Sequence, residues 1–237
     1  MNTRSPRLLL VLSFLLAIFT SCQKESDVTP SEKEMAYSRL LVTDADGSTV
    51  SLINPSSQKI QEFQARFSGS TLYATRSGRY AAVVNYANNL VQFFDTGIEA
   101  HEDHVHVLGQ PKWSSLISEA PKPTHVFFWN SGGNRIAIFN DGDATLTLTT
   151  EYDLSAPGAK AANVKVDVPH HGAVVAFSNN TFAVTQKDGT VSSTLPERVK
   201  IVDANGNVVK TSVLATKGIH GDAGNGDVAL FGHPEGI

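Results

Sequence analysis

The chain has 237 residues, of which 41% are hydrophobic and 18% charged, with a formal net charge of −4. That is ample apolar material for a sizeable core, and with no Lys/Arg block after the first few residues it argues against a nucleic-acid partner. The one cysteine cannot form an internal disulfide, so this is no disulfide scaffold.

At the N-terminus, Arg4 and Arg7 precede an apolar run from Leu8 to Phe19 that ends at Thr20, Ser21 and Cys22. The run is shorter than the roughly 20 residues that span a bilayer, so residues 1–21 read as a secretory signal. A small residue directly before the lone cysteine marks lipoprotein processing, with cleavage before Cys22 and acylation of its thiol and new amine. Residues 22–36 are polar, charged and proline-containing, as expected of a flexible tether. The segment "CQKESD" resembles the acidic signal after the lipidated cysteine of surface-exposed lipoproteins in Bacteroidetes-type bacteria. The expectation is an exported bacterial lipoprotein, anchored to the membrane by lipid alone and facing the periplasm or the cell surface.

Residues 37–237 alternate short apolar strands with Gly, Asn and Asp turns, and no long amphipathic helix is visible. "RLLVTDADGSTVSLINPSSQKIQEFQ" reads as strand, turn, strand, turn, strand. The pattern returns in "TLYATRSGRYAAVVNYANNLVQFFDT", in "HVFFWNSGGNRIAIFNDGDATLTLTTEYDL", and in "HGAVVAFSNNTFAVTQKDGT" followed by "RVKIVDANGNVVKTSVL". A recurrence of about 45 to 50 residues predicts an all-β propeller with four-stranded blades. About four and a half blades are countable, and "GDVALFGHPEGI" stops where a return strand is due, so the expectation is an incomplete ring with C-terminal blades missing.

Two histidine sets stand out. His101, His104 and His106, with Glu102 and Asp103, fall within six residues between the second and third blades. In an extended strand His104 and His106 face the same side, which suits capture of one metal ion, although a solvated acidic loop needs none. His125, His171 and His220 are 46 and 49 residues apart, and each opens a β segment. If each starts the innermost strand of its blade, all three point to one axis, and a metal site is the reading that follows. Asp141, Asp143, Asp188 and Asp203 sit in turns and read as turn formers. Trp113 and Trp129 read as packing residues, His170 as pointing away from His171, and His233 as a surface turn residue.

The ordered set "HEDHVHV", "PTHVFFW…GGNRIAIFNDG", "PHHGAVVAF" and "GIHGDAGNGDVALFG" resembles the AztD-type periplasmic zinc metallochaperones, over most of the chain from Ala36 to Ile237. The resemblance implies a β-propeller that binds Zn2+ through histidines and delivers it to the solute-binding protein of a zinc ABC importer. His101, His104 and His106 match the family's His-rich segment, and His125, His171 and His220 match the histidines that open its blades. The early end and the lipid anchor depart from the family.

Imidazoles with a carboxylate or water as fourth ligand make a tetrahedral site suited to zinc. A mobile loop bearing His104 and His106 beside a firmer axial site would allow the ion to be handed on. The expected function is therefore non-enzymatic. Two alternatives stay open: a metal-free surface scaffold or adhesion propeller, and a metal-dependent hydrolase using Glu102, Asp103 or Asp222 as general base. No G-x-S-x-G elbow, phosphate-binding Gly loop or H-E-x-x-H helix is present.

Overall fold

Strands buried on both faces read as unbroken apolar runs, and the two central strands of the second sheet show the effect. β5 (Tyr80–Asn85, YAAVVN) and β6 (Leu90–Asp95, LVQFFD) are buried at every position because a neighbouring sheet covers each side. The computed structural model describes residues 38–101, 104–129 and 133–236. The signal segment, Cys22 and the tether, together with Glu102 and Asp103, lie outside the described residues. No helix among those described is long and apolar enough to cross a membrane.

The first sheet is an antiparallel meander of β1 (Leu40–Thr43), β2 (Thr49–Asn54) and β3 (Lys59–Gln64). The second runs β4 (Thr71–Ala74), β5, β6 and β9 (Lys112–Ser118). A separate hairpin, β7 (Ile98–His101) with β8 (His104–Val107), interrupts the chain between β6 and β9. The third sheet has β10 (Pro123–Trp129), β11 (Arg135–Asn140), β12 (Thr145–Thr150) and β13 (Ala162–Lys165). The fourth has β14 (Val174–Ala176), β15 (Phe182–Gln186), β16 (Arg198–Val202) and β17 (Val208–Thr211). β18 (Asp222–Gly224) and β19 (Ala229–Phe231) pair as a two-stranded sheet. A one-turn helix, α1 (Glu151–Ser155), follows β12.

The sheets stack as propeller blades. Alternate residues of β11 feed different cores: Ile136 and Ile138 pack against Ala82, Val84 and Phe93 of the second blade, while Ala137 and Phe139 pack against Val174, Phe182 and Val184 of the fourth. The period-2 alternation of a strand thus glues one blade to both neighbours. β10 lies beside β14 and β14 beside β18, which makes these the innermost strands.

Strand direction orders the first sheet as well. β1 ends where β4 begins, with the Thr43 hydroxyl donating to the Ser70 carbonyl at 3.3 Å. β1 therefore runs opposite to β4, and β1–β3 correspond to the second, third and fourth strands of a blade.

One expectation is corrected. The His101–His106 segment is not an interblade connection. Lys112–Ser118 returns to pair with β6 and completes the second blade, so the histidine hairpin is an insertion before that blade's outermost strand.

Candidate metal centre

The local sequence around each histidine explains where it points. His125 is the third residue of β10 and lies within the register shift between Pro123 and Val126. His171 precedes β14 by one short turn, and Gly172 is what lets it do so: a Cβ at Gly172 would lie 2.4 Å from the Phe139 ring and 2.7 Å from Thr185 Oγ1. His220 sits two residues before β18 between Gly218 and Gly221, both of positive φ, and its amide donates to the Gly232 carbonyl at 2.8 Å.

These three side chains, drawn from three successive blades, converge. One ligand nitrogen from each lies within 4.8 Å of the other two. Ring centroids are 5.2 Å apart for His125 and His171, 5.2 Å for His171 and His220, and 6.0 Å for His125 and His220. They open onto a cavity of about 420 Å3 that Tyr73, Tyr86 and Thr124 also line. In a tetrahedral zinc site ligand nitrogens are about 3.3 Å apart, so small side-chain rotations would close these rings on one ion.

Two aspartates face two of the rings, one of them hydrogen-bonded. Asp141 Oδ2 lies 2.7 Å from His171 Nδ1, and Asp222 Oδ1 lies 3.3 Å from His125 Nδ1. An ionised carboxylate only accepts, so Nδ1 of His171 carries the proton and Nε2 is left with its lone pair. The hydrogen bond to Asp141 raises the His171 pKa above its usual value, against the opposing effect of burial. Among the described residues no carboxylate pairs with the His220 ring, which is the most exposed of the three.

Sequence reading missed Asp141, treating it as a turn former alone. It does occupy the turn after β11, but its side chain reaches into the next blade. Asp222, weighed as a general base, faces His125.

The second cluster is built by hairpin register. His101 pairs directly with His104, and His106 is two residues farther along β8, so all three project from one face. Their ring centroids are 4.7 to 5.4 Å apart, and His104 Nε2 lies 3.2 Å from His106 Nε2. Two neutral rings at that distance share one N–H, which a metal would have to displace. Gly97 makes the turn into β7 with φ +76, and a Cβ there would sit 2.3 Å from the Gly109 carbonyl oxygen.

The two clusters are not adjacent, contrary to the expectation of a loop beside an axial site. The turn from β5 to β6 stands at the end where β10 begins, since Asn89 Oδ1 accepts from the Lys122 amide at 3.0 Å. β6 then runs away to Asp95, which pairs with Tyr80 at the far end of the blade. The hairpin therefore leaves from the end opposite His125, His171 and His220, about 20 Å away along a six-residue strand.

Of the remaining residues, His170 is buried and turned from the cluster. Its Nδ1 donates to the Val168 carbonyl at 2.7 Å, Thr185 Oγ1 lies 2.9 Å from its Nε2, and burial lowers its pKa. Trp129 is in the core and Trp113 packs edge-on against Phe94, as expected of packing residues.

No protein-family model matches the chain. Among solved structures it is related to AztD from Citrobacter koseri. It superposes on the apo form with a TM-score of 0.68 and 25% identity, over 81% of this chain and 50% of that one. A second crystal structure of AztD gives 0.69 and 25%, over 81% and 51%. The chain thus spans about half the length of the AztD structures it matches.

Proposed function

We propose that this chain is an exported zinc-binding propeller that carries Zn2+ and passes it to the solute-binding protein of a zinc importer. The observation that carries the reading is the convergence of His125, His171 and His220 from three blades onto one point. Three imidazoles with no thiolate form a borderline donor set that suits zinc better than Cu(I), Ca2+ or Mg2+. The structural relation to AztD and the sequence resemblance to AztD-type zinc metallochaperones support the same cargo.

His220 is the ring on the solvent side of this cluster, and an acceptor approaches the ion there. The hairpin cluster, exposed at the other end, is a second and weaker zinc site. Lipid attachment at Cys22 holds the protein at the membrane, where an importer's binding protein operates.

Calorimetric zinc titration of the full chain tests this reading. Two zinc ions should bind, one being lost in His125→Ala/His171→Ala/His220→Ala and the other in His101→Ala/His104→Ala/His106→Ala. Loaded protein should then fill an apo solute-binding protein faster than free zinc at the same activity does. A chain that binds no zinc at either cluster contradicts the proposal and leaves a metal-free scaffold.

A further inference from the structure

Asp141 makes more contacts than a turn former needs. Oδ2 accepts from His171 Nδ1 at 2.7 Å, while Oδ1 lies 2.6 Å from Thr124 Oγ1 and 3.2 Å from the Gly172 amide. Its own amide donates to the Lys122 carbonyl at 2.9 Å. One nearly buried carboxylate thus ties the start of β10, where His125 stands, to the backbone and ring of His171 in the following blade. Asp222, at the start of β18, lies 3.3 Å from His125 Nδ1 but makes no hydrogen bond to it, so of the three rings His171 alone is fixed in this way.

Resting on the zinc reading above, we infer that Asp141 is a positioning residue that sets the tautomer of His171, so that Nε2 and not Nδ1 is the metal-binding nitrogen. A free imidazole prefers to carry its proton on Nε2, the wrong nitrogen for ligation in this geometry. The carboxylate reverses the preference before any metal arrives. Metal-ligating histidines are commonly held this way, and loss of the partner weakens binding by about 10- to 100-fold.

The geometry makes a specific forecast for Asp141→Asn. The Gly172 amide can only donate, so it keeps the Asn oxygen on its own side. The new NH2 group then faces His171 Nδ1 and turns that nitrogen into an acceptor. The ring must carry its proton on Nε2, where it blocks the metal.

Nitrogen-15 NMR of the metal-free full chain reads the tautomer directly, so the inference does not stand or fall with zinc binding. In the wild type His171 should be protonated on Nδ1, and in Asp141→Asn on Nε2, with His125 unchanged. Zinc affinity of the axial cluster should fall about 10- to 100-fold in the variant. A wild-type His171 protonated on Nε2 overturns the inference even if Asp141→Asn does not fold. So does a variant whose His171 tautomer matches the wild type. Correct tautomers in a chain that binds no zinc would sink the function and leave the positioning role intact.

Discussion

Gly172 and Tyr80 show how single positions support the site and the core respectively. A methyl group at Gly172 would collide with Phe139 and Thr185, so Gly172→Ala should cost about 1–3 kcal/mol by urea denaturation and loosen the axial cluster. Tyr80 is buried, and its pKa is raised first by desolvation and then by the Asp95 charge. A group whose folded pKa exceeds its unfolded value stabilises below the unfolded value, 10.0 here, and loses that contribution as pH rises through the folded one. Burial raises the Tyr73 pKa as well, so alkaline spectrophotometric titration should show late tyrosine ionisation accompanied by unfolding, and Tyr80→Phe should reduce that late phase, leaving the part that belongs to Tyr73. At this scale the sequence was only partly legible. Histidines advertise themselves by type and repeat, whereas Asp141 sits in an "NDGD" turn that looks like any other, its partner thirty residues along the chain.

Elements were easier to read than their boundaries. Period-2 burial and Gly/Asn/Asp turns revealed most strands, because a strand's environment repeats locally. β9 was missed because the inserted hairpin separates "KWSSLIS" from β6 along the chain, and only its pairing with β6 identifies it. Helix α1 is a single turn, too short for a periodic signal, and it is held by a capping box between Thr150 and Asp153. Thr150→Ala should destabilise the fold by about 0.5–2 kcal/mol in chemical denaturation without altering zinc stoichiometry. The hairpin makes a sharper test of element geometry. In Gly97→Ala the added Cβ meets the Gly109 carbonyl at a φ that disfavours side chains, so the three hairpin histidines should lose their common face. Zinc titration should show the hairpin ion gone and the axial ion kept.

For the molecule as a whole, the repeat spacing was enough to indicate a propeller, since each blade is one supersecondary unit and its length sets the period. The relative position of the two histidine clusters was not legible. It depends on which end of the blade the inserted hairpin leaves from, and that follows from strand direction, not from distance along the sequence. With the clusters at opposite ends, substitutions in one should leave the affinity of the other unchanged within about 0.5 kcal/mol.

The central claim is that three blades place three imidazoles around one ion. Anomalous diffraction at the zinc edge, on crystals of the full chain grown with one equivalent of Zn2+, tests it most directly. A peak is expected within bonding distance, about 2.0–2.1 Å, of one nitrogen each from His125, His171 and His220. Zinc found only at the hairpin, or at no histidine at all, would contradict it.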